Sequence, residues 1–115
     1  MAFIETEIAG DGGGATNVKT GTGTYDGTTE VFVNVGFKPK YIAVCADDTT
    51  NRVTNIYNAD ISTTQCLRGY ESAVMGWVAL TSTSSFYRIK SVTNNGFSIV
   101  GYTGSSFNFR YFVIG

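Results

Sequence analysis

A chain of 115 residues has the size of one domain, since single domains commonly run to roughly 100 to 150 residues, and a multidomain enzyme is excluded. Charged residues make up 15% of it against roughly 25% in an average soluble domain, and 8 Lys and Arg against 9 Asp and Glu leave a formal charge of −1. That balance speaks against a nucleic-acid or membrane-surface binder, and the absence of His removes imidazole bases, Ser-His and Cys-His nucleophile pairs and His-containing zinc sites.

Residues 1–19 read as an N-terminal arm and linker. Met1 to Ile8 carries Glu5 and Glu7 and has neither a basic nor an apolar leader region, which predicts no signal peptide. The run Gly10-Asp11-Gly12-Gly13-Gly14 resists regular structure because consecutive glycines lose the most backbone entropy on ordering. Phe3, Ile4 and Ile8 are too few for a core, so they are expected to dock on another surface.

Residues 20–115 read as an all-β domain. Leu is scarce, while Val, Ile, Thr and aromatic residues recur in short segments separated by turn clusters, the habit of an antiparallel β-sandwich. The expected strands are Thr20–Tyr25, Glu30–Val35, Lys40–Ala46, Val53–Tyr57, Gln65–Tyr70, Val74–Thr81, Phe86–Thr93, Phe97–Tyr102 and Asn108–Ile114. Val31, Val33 and Val35 share one strand face, opposite Phe32 and Asn34. Asn94-Asn95-Gly96 signals a hairpin through residues that tolerate positive φ, and Thr103 to Ser106 is expected to turn the chain again into a three-stranded C-terminal meander. In the last strand Phe107, Phe109, Tyr111 and Val113 line one face, with Phe112 and Ile114 on the other. A strand apolar on both faces is either central in its sheet or covered by a neighbouring subunit.

Low charge, many aromatics and that last strand lead to the expectation of a homotrimer, with Phe107, Phe109, Tyr111 and Phe112 at the subunit interface. Cys45 and Cys66 lack zinc or CxxC spacing and are expected to be buried free thiols. Asp47, Asp48, Arg52 and Tyr57 form a candidate polar recognition patch, with Trp77 or Tyr102 as an aromatic platform for a sugar ring. Alternation favours a core position for Trp77 over a platform. The Asp47 to Asn51 tip lacks the later acids of a calcium loop, and Glu30, Glu71 and Asp60 belong to no glycosidase motif. No enzyme activity, metal or cofactor is expected.

Three pieces in order carry a family resemblance: Val35-Gly36-Phe37-Lys38-Pro39-Lys40-Tyr41-Ile42-Ala43-Val44, then Asn94-Asn95-Gly96-Phe97-Ser98-Ile99, then Phe107-Asn108-Phe109-Arg110-Tyr111-Phe112-Val113-Ile114-Gly115. The set resembles β-sandwich modules of phage virion proteins and is similar in order to H-type lectin domains. Phe112-Val113-Ile114 departs from the small residue usual near the end of those modules, and the His and aromatic frame of the lectin sugar site has no match. The resemblance implies a non-enzymatic virion component, made in the host cytoplasm, that decorates the capsid or forms part of a tail fibre or baseplate for host attachment. Its partners would be its own copies, other phage structural proteins and a host surface glycan, without nucleic acid or membrane insertion. The alternative is a free carbohydrate-binding lectin.

Overall fold

The computed structural model describes residues 17–47, 53–70, 73–81, 87–102 and 104–115, with the backbone alone at 70 and 73–75. The described elements are nine strands: β1 Val18–Tyr25, β2 Val31–Asn34, β3 Tyr41–Asp47, β4 Val53–Asn58, β5 Gln65–Tyr70, β6 Ala73–Ala79, β7 Tyr87–Val92, β8 Gly96–Gly101 and β9 Phe107–Ile114. Each expected strand is present, and the all-β, antiparallel class holds. A large sheet runs β1-β9-β3-β4-β5-β6 and a small one runs β2-β8-β7. All pairings are antiparallel.

The core forms where the inner faces of the two sheets meet. Ile42, Val44, Ala46, Val53, Tyr57, Phe109 and Val113 come from the large sheet, and Val33, Tyr87, Ile89, Phe97 and Ile99 from the small one. Alternation in β3 leaves Ile42, Val44 and Ala46 buried between more exposed neighbours, as one-sided burial of a strand requires. The Tyr87 hydroxyl crosses between the sheets, donating to the Val53 carbonyl at 2.5 Å with the Val44 carbonyl at 3.0 Å. In β2, Val33 is buried and Phe32 exposed, which is the parity read from the sequence.

Local chemistry sets the connections. The Asp26 carboxylate accepts the backbone N–H groups of Thr28 (2.8 Å) and Thr29 (2.7 Å), bending the chain out of β1 and lowering its own pKa chiefly through those two bonds. Gly36 sits at φ +85°, a region costly for residues with a Cβ. It makes the kink that delivers Pro39 to the start of β3.

Several expectations need correction. β9 is not the third strand of a C-terminal meander: it leaves the small sheet and inserts between β1 and β3, because its inward row of Phe107, Phe109 and Val113 fills the core between the sheets. The covering small sheet accounts for the inward apolar row of β9 and leaves Phe112 on the outward face, so Phe107 and Phe109 are core residues of their own chain, not surface available to another subunit. The Asn94-Asn95-Gly96 hairpin is present, but these residues have no positive φ. The Thr93 N–H donates to the Gly96 carbonyl at 2.8 Å, and glycine is needed at 96 because the Val33 carbonyl occupies the place of a Cβ. Val18 and Lys19, read as linker, pair with Ile114 and Val113. The arm residues Phe3, Ile4 and Ile8 lie outside the described residues.

Candidate functional site

The small sheet packs on one face of the large sheet and leaves the other outward. Register lays a transverse row across that outer face, Thr20–Phe112–Ala43–Ile56–Leu67–Trp77, one residue from each strand. Trp77 is 51% exposed and Phe112 39%, while Ala43, Ile56 and Leu67 between them are half-buried. One row toward the ends of β3 and β9, Tyr41 stands edge-on to Phe112 with ring centroids 6.3 Å apart. On this face, among the described residues, only Arg110 and Asp47 carry charge. Soluble single chains seldom present an apolar band of this length to water.

Beside Phe112 the face sinks into a hollow of about 240 Å³ lined by Ala43, Cys45, Thr54, Arg110 and Phe112. The hollow exists because Ala43, Cys45 and Thr54 are small where their neighbours are long. Next to it, Thr22, Thr24, Asp47, Asn108 and Arg110 border a more polar recess of about 600 Å³. There the Arg110 guanidinium donates to the Asp47 carboxylate at 3.3 Å, and the Thr24 hydroxyl donates to the Asn108 side-chain carbonyl at 2.8 Å.

A second polar cluster lies at the β6–β7 side. Arg88 is fully buried; its guanidinium donates to the Ala79 carbonyl at 3.4 Å and to the Tyr102 hydroxyl at 2.5 Å, 4.8 Å from that ring's centroid. Burial lowers its pKa, and Tyr102 and Cys66 act in the opposite direction. Burial also pushes the Cys66 thiol up to about 12, against the pull of Arg88. Such a thiol is a poor nucleophile.

The expected recognition patch does not come together. Tyr57 is buried in the core, Tyr102 is engaged by Arg88, and Asp48 and Arg52 lie outside the described residues. Asp47 is exposed on β3 beside Arg110. Trp77 is on β6, so the two are separated by β4 and β5, about 14 Å at ordinary strand spacing. The core position favoured for Trp77 is overturned: its pairing with Leu67 puts it on the outer face. Cys66 is buried and Cys45 is not; both are free thiols, and Cys45 is exposed, because it shares the outward parity of Ala43 and Asp47. Of the candidate acids, Glu30 is paired to Lys90 at 3.1 Å and Asp60 to Lys40 at 3.5 Å, and Glu71 lies outside the described residues. Sequence reasoning missed Ala43, Ile56, Leu67 and Arg110, since strand register, which aligns them with Phe112 and Trp77, is not written in any one segment. No family model, curated protein or solved structure matches this chain.

Proposed function

We propose that the chain is a non-enzymatic structural component that assembles with its own copies, as a homotrimer, on the surface of a bacteriophage particle. The observation that carries assembly is the apolar row from Phe112 to Trp77 across the outer face of the large sheet. Covering it removes apolar area from water at roughly 25 cal/mol per Å², and a symmetric copy is the simplest cover for a small chain. The virion setting rests on the three-part sequence resemblance, whose pieces fall at the approach to β3, the β7–β8 hairpin and β9. Decoration of a capsid, or attachment as part of a fibre or baseplate, is the corresponding role. Light scattering of the purified chain is expected to give three times 12.4 kDa. A strictly monomeric protein at micromolar concentration would sink this reading.

The lectin alternative keeps one observation in its favour, the polar recess of Thr24, Asp47, Asn108 and Arg110, whose donors and acceptors suit sugar hydroxyls. Tight, specific binding on a glycan array would favour it.

A further inference from the structure

The outer face of the large sheet carries a projection and a depression at the same height. Trp77 projects from β6, and the hollow opens at β3 and β9. Ala43, on the hollow's floor, belongs to the same transverse row as Trp77 through Ile56 and Leu67. A rotation about an axis running along the strands preserves that height. Any ring of copies built on such an axis can therefore bring one chain's Trp77 level with another chain's hollow.

We propose that Trp77 of one copy seats in the Ala43–Cys45–Thr54 hollow of a second copy of this chain. The proposal rests on the reading of the chain as an assembly component and identifies the surface by which it assembles. Three features select a second copy as the occupant. First, at about 240 Å³ the hollow is below the roughly 300 Å³ at which small-molecule sites begin, yet it accepts a single aromatic side chain. Second, apolar Ala43 and Phe112 border it and Arg110 stands at its rim, where a guanidinium can lie against an indole face. Third, the face spans six strands, a footprint of roughly 600 Å² from ordinary strand spacing and rise, approaching the ~800 Å² per partner of a standard interface once side-chain relief is added.

Closure also favours a small ring. Six strands make a wall about 24 Å wide, so three walls around an axis lie about 7 Å from it, near the ~5 Å that is half the spacing of packed sheets. Four walls would lie about 12 Å away and leave a void that these side chains cannot fill. Knob and socket occupy different places on one face, so three copies about a three-fold axis each give one knob and receive one, which closes the ring.

The test combines light scattering with the native reactivity of Cys45 toward Ellman's reagent. It uses the wild-type chain, Trp77→Ala, Ala43→Glu and the control Phe32→Ala, whose ring is exposed on the small sheet. The assembled wild-type protein is expected to react slowly at Cys45, because the indole covers the thiol. Trp77→Ala and Ala43→Glu should weaken assembly on the order of 30-fold or more, as loss of a central aromatic anchor does, and release one fast-reacting thiol per chain. Phe32→Ala should behave as wild type. An assembled wild-type protein whose Cys45 reacts as fast as in the dissociated chain would overturn this interface while leaving assembly intact. Assembly unchanged in Trp77→Ala would do the same. A wild-type chain that stays monomeric overturns the assembly reading and this contact with it. The wild-type thiol measurement needs no variant, so it decides even where a substitution impairs folding.

Discussion

Cys66 and Arg88 lie close enough for each to act on the other's charge, and burial works against both ionised forms. The folded thiol titrates at about 12, above its ordinary 9.0. As the pH rises past 9.0 the unfolded chain therefore releases this proton while the folded chain retains it. The unfolded state then binds fewer protons, so stability falls from pH 9.0 toward 12, by at most about 1.4 kcal/mol per pH unit. Urea denaturation across that range should show the decline, and Cys66→Ala should flatten its first part; Tyr87, whose pKa is likewise raised by burial, adds to the slope at its upper end. Arg88 offers a second test. Its guanidinium is fully buried, donates to the Tyr102 hydroxyl, and has no hydrogen-bond partner at Nε among the described residues. Tyr102→Phe keeps the ring and removes the acceptor, so it should destabilise the fold by about 1.5 to 3 kcal/mol, the range for a hydrogen bond to a charged group. A change below half a kilocalorie would mean that water replaces the hydroxyl there.

At the scale of elements, the contact of β1 with β9 depends on what β1 lacks. Gly21 and Gly23 leave room for the rings of Tyr111 and Phe109, and a Cβ at either position would run into them. Gly23→Ala should therefore cost about 1 to 3 kcal/mol, as overpacking does, whereas Gly76→Ala on β6, where a Cβ meets nothing within 4 Å, should stay within about 0.5 kcal/mol. Paired denaturation curves would check both. The same strands show which features were legible in the sequence. All nine were readable, each within two residues of its bounds, because β-branched and aromatic alternation and turn residues act locally. The partners of β9 were not readable, since insertion between β1 and β3 is decided by packing of Phe107 and Phe109 in a core that closes only when both sheets are present. Parity along β6 told which residues accompany Trp77 but not which side of the sheet they face. Tyr57 fell to the core, and Cys45 to the surface, for the same reason: alternation gives a pattern, and only the position of the covering sheet gives it a direction.

For the molecule as a whole, the two sheets bury a continuous core built from Tyr25 to Val113, and β1 begins at Val18. Residues 1–16 contribute only Phe3, Ile4 and Ile8 as large branched or aromatic groups, and residues 9–17, with Gly10 to Gly14 among them, separate these from the first strand. The backbone entropy that consecutive glycines lose on ordering leads to the expectation, from sequence alone, that these apolar residues are not held by the domain, and sixteen residues can reach as far as about 50 Å when extended. β1 stands at the end of its sheet order, with one backbone edge that no strand among the described residues pairs, and it is the strand to which this arm is joined. Apolar groups on such a tether gain most by binding elsewhere, and addition of a strand to a sheet edge of a neighbouring copy or of the host particle is one mode open to them. Deletion of residues 2–14 is accordingly expected to leave the cooperative thermal transition of the sandwich nearly unchanged, and to abolish co-sedimentation with particles assembled without the wild-type protein. A large drop in the transition temperature would show that the arm belongs to the folded domain. Retained co-sedimentation would instead assign docking to the sandwich, and with it to the outer face that Phe112 and Trp77 span.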